Sequence, residues 1–113
     1  MITIYHNPRC GKSRECLAFV TNSNQEFEVI NYLNTPLNFN SLTELISKLK
    51  IEPIELVRTK EKIWIEQFKT KKLTNTEIIE AMVQFPILIE RPIAVNGNKA
   101  VIARPLELIQ SIL

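Results

Sequence analysis

An α/β fold on a four-stranded mixed sheet is predicted by three observations. A short apolar strand, Ile2 to Tyr5, runs directly into a helix and then into a second strand, Phe27 to Tyr32. Far along the chain, Ile93-Ala94-Val95 and Ala100-Val101-Ile102 flank Asn96-Gly97, a strong hairpin signal. Between these two regions, from about residue 38 to 85, the apolar residues follow helical rather than strand spacing. The chain has 113 residues, which fits one domain. A chain of this size buries roughly two-thirds of its unfolded surface without needing disulfides or a metal. Hydrophobic residues make up 45% and charged residues 23%, as in ordinary globular proteins. The net charge of +2 is too small to point to a nucleic-acid partner, so any positive field has to be local.

The elements follow in order. Residues from about Gly11 to Thr21 form a helix whose apolar positions are Cys16, Leu17, Phe19 and Val20. Asn22-Ser23-Asn24 is a turn, and Phe27 to Tyr32 alternates as a half-buried strand does. The crossover is long enough to make the two strands parallel neighbours. In the insertion, Ser41-Leu42-Thr43-Glu44 matches a capping box. Pro53 starts a short helix through Val57, and another covers about Glu61 to Phe68. Thr74-Asn75-Thr76-Glu77 is a second capping box. After the hairpin, Arg104-Pro105 opens a last helix with proline at its first position and Leu106, Ile109, Ile112 and Leu113 on one face. This order of strand, helix, strand, helical insertion, hairpin and helix is the thioredoxin-like arrangement, a mixed four-stranded sheet with helices on both faces. In that fold a reactive cysteine follows the first strand and a cis-proline before the third strand lies beside it. Pro92, in Arg91-Pro92, stands at that place.

Cys10 is the candidate reactive residue. It lies in Tyr5-His6-Asn7-Pro8-Arg9-Cys10-Gly11-Lys12-Ser13-Arg14, between strand and helix. A helix start beside cations lowers a thiol pKa, and the thiolate is the nucleophile. The same helix start attracts anions. No charged leader with an apolar segment precedes the first strand, and no apolar run approaches the roughly 18 residues of a membrane span. The expectation is a cytoplasmic protein without membrane contact, in a compartment where thiols stay reduced. Cysteines there serve catalysis or are simply buried. Ser13 stands where dithiol oxidoreductases have their second cysteine, so the site is monothiol and turnover needs an external thiol. Cys16 stands six residues after Cys10, where the C-x5-R phosphate loop has its arginine clamp. Six helical residues advance about 9 Å and about 240°. Cys16 is therefore read as a small buried hydrophobe rather than a resolving thiol. One histidine and two separated cysteines do not make a metal cluster, so no metal is expected.

Three segments carry a resemblance to a known family: Ile4 through Arg14; Glu55-Leu56-Val57-Arg58; and Pro86-Ile87-Leu88-Ile89-Glu90-Arg91-Pro92-Ile93, leading to Ala103-Arg104-Pro105. The chain resembles the glutaredoxin-coupled ArsC-type arsenate reductases over essentially its whole length. The resemblance implies Cys10 as nucleophile and Arg58, Arg91 and Arg104 around an oxyanion. It places His6, Ser13 and Arg14 in support of the cysteine and its helix start, and lets the N–H groups of Gly11, Lys12 and Ser13 face the oxyanion. Arg9 and Lys12 replace the family's commoner small residue and threonine, adding two cations suited to an anion or a glutathione carboxylate. The implied activity reduces arsenate to arsenite with no bound cofactor, glutathione as co-substrate and glutaredoxin as partner. Two other readings stay open: a glutathione-dependent thiol–disulfide oxidoreductase, and a Spx-like regulator that binds RNA polymerase. Spx-type proteins typically carry a C-x-x-C switch, so Ser13 and the arginines favour an enzyme. Read by itself, Arg58 is a surface cation in Arg58-Thr59-Lys60-Glu61-Lys62. Trp64 and Phe68 read as packing, and Lys69, Lys71 and Lys72 as a solvated patch.

Overall fold

The structure is a computed structural model that describes residues 1–113. Its residues group into two compact units, Met1–Thr35 with Arg91–Leu113, and Pro36–Glu90.

The first unit holds the sheet: β1 (Ile2–His6), β2 (Phe27–Asn31), β3 (Ile93–Asn96) and β4 (Lys99–Ile102), in the order β2-β1-β3-β4. β1 runs parallel to β2, with Ile2 opposite Phe27 and His6 opposite Asn31. It runs antiparallel to β3, with Tyr5 opposite Ile93. This is the mixed sheet of the thioredoxin-like arrangement. In the hairpin Asn96 pairs with Lys99, so the central turn residues are Gly97-Asn98, one position later than Asn96-Gly97 suggests. Gly97 has φ +62° and Asn98 has no positive φ, the pattern of a type II′ turn with glycine first.

α1 (Gly11–Asn22) turns Cys16 and Val20 into an apolar cluster with Ile2, Ile4, Ala94, Ala103, Ile109 and Ile112. Alternation along β1 buries Ile2, Ile4 and His6 and leaves Thr3 and Tyr5 half-buried. β2 departs from the expected half-buried alternation. It is an edge strand with one neighbour, none of its residues is buried, and Val29 is 41% exposed. Tyr32, just past it, is fully buried.

The last helix is a 3₁₀ helix, Leu106–Ile112, rather than an α-helix. Its apolar residues Leu106, Ile109 and Ile112 recur every third position, which matches three residues per turn. Leu113 is exposed and leaves the expected face. Pro105 caps the helix in an extended conformation instead of occupying its first position, and the Arg104–Pro105 bond is cis.

The second unit is helical: α2 (Phe39–Leu49), a 3₁₀ turn (Pro53–Leu56), α3 (Lys62–Gln67), α4 (Asn75–Gln84) and a second 3₁₀ turn (Pro86–Leu88). It is wider at both ends than the 38–85 insertion read from sequence. α4 packs on α2 and on both 3₁₀ turns, and Leu42, Leu45, Ile46, Leu56, Ile78, Ile79, Met82 and Leu88 are buried. Trp64 and Phe68 do pack, with ring centroids 5.4 Å apart, and Phe68 meets Phe85 edge-on. Lys69, Lys71 and Lys72 are exposed. α2 starts earlier than the Ser41–Glu44 box implies. Asn38 is the cap, its Oδ1 accepting the Ser41 N–H at 2.8 Å and the Ser41 hydroxyl at 2.7 Å. Ser41 is thereby used inside the first turn and cannot cap it.

The box on α4 forms in both directions. Thr74 Oγ1 accepts the Glu77 N–H at 3.2 Å, and the Glu77 carboxylate accepts the Thr74 N–H at 3.0 Å. Thr74→Ala is expected to destabilise the protein by about 1 kcal/mol. The check is a lower urea midpoint at an unchanged slope. No helix is long and apolar enough to cross a membrane.

Candidate active site

The site is built on the turn between β1 and α1. The carbonyl of Asn7 accepts the Cys10 N–H at 3.0 Å and closes a four-residue turn. Proline at its second position suits the φ required there. Asn7 Oδ1 accepts the Arg9 N–H at 3.0 Å, a second lock on the same turn. Cys10 is then the N-cap of α1, in extended conformation, with its carbonyl accepting the Arg14 N–H. Arg14 closes the loop from the other side, donating from Nη1 to the Pro8 carbonyl at 3.1 Å. Ser13 is fully buried and its Oγ accepts the Asn7 N–H at 3.4 Å. Gly11 is the first helical residue. A Cβ there meets nothing nearer than Arg14 Nη2 at 3.7 Å, so packing does not demand glycine. Lys12 and Arg9 are exposed, and Lys12 Nζ lies 3.7 Å from Glu15.

Two arginines reach the sulfur from the far end of the chain. Arg104 Nη2 lies 3.3 Å from Cys10 Sγ, and its Nε donates to the Arg91 carbonyl at 2.6 Å. Arg91 is 8% exposed and its guanidinium bonds the sulfur. Hairpin register explains the meeting. Ile93 faces Ile102, and the Ala103 N–H bonds the Pro92 carbonyl, which leaves Arg91 and Arg104 opposite one another at the open end. The Arg91–Pro92 bond is cis.

Electrostatics follow from this geometry. Burial pushes the Cys10 thiol up. The Ser13 N–H, the Arg91 guanidinium, the Ser13 hydroxyl and the Lys12 N–H together outweigh it and bring the pKa down to about 7. Burial alone pushes Cys16 up to about 11. His6 is held below the usual histidine value by burial, opposed by a bond to the Ser13 backbone and reinforced by the Arg14 charge. Its Nδ1 is buried without a partner. A neutral imidazole supports the turn by shape and hydrogen bonding and lends the thiolate no charge.

Arg58 belongs to the second unit. Its Nε bonds Glu61 at 3.2 Å and its Nη1 bonds Glu90 at 3.3 Å. Its backbone is fixed too, with its N–H on the Leu88 carbonyl and a bridge from Val57 to Ile89. It is therefore not the solvated cation that its local sequence suggests. Asn7 is the residue that motif reading passes over. The available signal was an asparagine before proline, which favours turn initiation.

The two thiols are expected to separate under alkylation. Between pH 6 and 8 the Cys10 rate should rise with a midpoint near 7, because the thiolate is the reacting form. Cys16 should stay unreacted in the folded chain. Site-resolved mass spectrometry checks this, and faster reaction at Cys16 near neutrality reverses the assignment.

Comparison with known proteins places this geometry. The ArsC family model matches residues 5–112. An *Escherichia coli* K12 protein named arsenate reductase is 40% identical over 113 residues, covering 99% of this chain and 80% of that protein. Another *E. coli* K12 protein, YfgD, whose name states no activity, is 43% identical over 108 residues, covering 94% of this chain and 91% of that one. The solved structure of arsenate reductase from *Vibrio cholerae* superposes with a TM-score of 0.95 at 38% identity, covering 99% of this chain and 97% of that one. With its cysteine-bearing turn, its sheet and nearly its full length matched, the chain belongs to the ArsC family.

Proposed function

We propose that this protein is an arsenate reductase that uses the Cys10 thiolate as nucleophile, with glutathione and glutaredoxin supplying the electrons. The observation that carries this reading is one sulfur with a pKa of about 7, touched by the guanidinium groups of both Arg91 and Arg104. Such a site suits a tetrahedral oxyanion. The sulfur attacks, the arginines hold the oxygens by charge-assisted bonds, and the charge that builds in the transition state meets donors already in place. The N–H groups at the start of α1 add to the same field. The names of the related proteins support arsenate as that oxyanion.

In the proposed cycle the Cys10 sulfur bonds to arsenic(V), and one arsenate oxygen leaves as water after protonation. The glutathione thiol displaces a second oxygen, also as water. A glutaredoxin thiolate then attacks the glutathione sulfur. The sulfur–arsenic bond breaks, its electron pair stays on arsenic, and a glutaredoxin–glutathione disulfide forms while arsenic(V) becomes arsenic(III). Hydrolysis of the Cys10–arsenic(III) bond releases arsenite and restores the thiol. Ser13 in place of a second cysteine is why an outside thiol is required. By the resemblance Arg58 is the third arginine of the proposed set; its guanidinium is held by Glu61 and Glu90. His6, Gly11, Lys12 and Arg14 have supporting roles in the turn and helix start.

The test is arsenate-dependent NADPH oxidation with glutathione, glutaredoxin and glutathione reductase supplied. Turnover that needs all three and arsenate supports the reading. Turnover of a disulfide substrate without any on arsenate overturns it in favour of a general thiol oxidoreductase.

A further inference from the structure

We propose that Asn7 is a positioning residue for Cys10: its side chain fixes the turn that carries the cysteine, and its backbone N–H orients the Ser13 hydroxyl toward the sulfur. The inference rests on Cys10 being the reacting thiol and is independent of which oxyanion it meets.

Asn7 is 2% exposed, and a buried amide is stable only when its polar atoms are bonded. Three of its groups serve the site. Its carbonyl holds the Cys10 N–H, its Oδ1 holds the Arg9 N–H, and its N–H reaches Ser13 Oγ. The first two bonds fix where Cys10 enters α1. The third settles the direction of the Ser13 proton. A hydroxyl has one proton and two acceptor sites. With an N–H approaching the oxygen, the proton is left to point at the sulfur, where the Ser13 hydroxyl favours the thiolate. Asn7 thereby ties the end of β1 to the first turn of α1 through the group that faces the nucleophile.

Residue type fits the task. Asparagine, aspartate, serine and threonine all reach the N–H two residues on. Aspartate sets a negative charge beside a sulfur that has to ionise, which opposes ionisation. Asparagine makes the same turn without charge.

The experiment follows iodoacetamide alkylation of Cys10 against pH in the full chain, with a thermal melt to establish folding. Asn7→Ala should raise the midpoint by about half to one unit and slow the reaction at pH 7 by up to about fivefold. Asn7→Ser, which keeps the turn acceptor, should restore at least half of that shift. Asn7→Asp keeps the acceptor too but should raise the midpoint through its charge. In a Ser13→Ala background, adding Asn7→Ala should move the midpoint less than it does in the parent, since loss of the Oδ1 lock on the turn acts on the sulfur partly by moving the Asn7 N–H off that hydroxyl. A folded Asn7→Ala protein with an unmoved midpoint overturns the proposal. Full additivity with Ser13→Ala overturns it as well. If Asn7→Ala fails to fold, Asn7→Ser and Asn7→Gln decide, since glutamine is uncharged but carries its amide one methylene too far out for the turn: equal midpoints for the two reject the role, and a higher one for glutamine supports it.

Discussion

Cys10→Ser is expected to fold and to lose arsenate turnover by at least about a thousandfold. A serine hydroxyl stays protonated at neutral pH, so nothing in the variant attacks arsenic, while the arginines that hold the anion remain. The loss should therefore appear in kcat, and binding of sulfate or phosphate should persist in isothermal titration. The pH dependence has a definite sign. Cys10 is an acid whose folded pKa lies at about 7, so the thiolate fills in as pH rises through 7. Below that midpoint, single-turnover adduct formation should fall about tenfold for each pH unit. Arsenate turnover that survives Cys10→Ser in the folded chain would end the assignment of the nucleophile.

Arg91→Lys and Arg104→Lys are expected to lower arsenate turnover by roughly ten- to a hundredfold each. A hydrogen bond to a charged group is worth about 1.5–3 kcal/mol. Lysine keeps the charge and loses the planar fork. The two variants should differ in kind. Arg104 spends Nε on the Arg91 carbonyl and Nη2 on the sulfur at the same time, a division a single ammonium cannot make. Arg104→Lys should therefore also disturb Arg91, and the double variant should lose less than the product of the single losses. Steady-state rates with arsenate, set beside rates with a neutral disulfide, read this directly. Equal losses on both substrates would point away from an oxyanion clamp.

The chain gives up its local features readily. β1, the start of α1, the hairpin glycine and the Thr74 box rest on neighbouring residues, and each stands within a residue or so of its expected place. Long-range features divide. Arg91 and Arg104 lie 81 and 94 positions from Cys10, and no periodicity connects them. The resemblance named them, and the hairpin register about Gly97-Asn98 gives the physical reason they face one another. Local reading failed where two patterns competed. Asn38 and Ser41 both qualify as caps, and only the backbone path decides that Asn38 wins. A spacing of three in Leu106, Ile109 and Ile112 serves an α-helix or a 3₁₀ helix, and seven residues are too few to separate them by periodicity. Asn7 shows in the sequence only as an asparagine before proline, because its bonds to the Arg9 N–H and the Ser13 hydroxyl depend on directions a sequence does not state.

The sealed position of Cys16 has a consequence under peroxide. Cys10 caps the same helix that buries Cys16, and six helical residues separate them by about 9 Å, beyond the roughly 7 Å span of a disulfide. A thiol half ionised at neutral pH is the form that peroxide converts to sulfenic acid. Proteins with a neighbouring thiol trap that species as a reversible internal bond. This chain has no second sulfur within reach, so rescue has to arrive from solution before a second oxidation yields the irreversible sulfinic acid. Survival of the nucleophile under oxidative stress is thus set by the concentration of small thiols around the protein rather than by anything in its own fold.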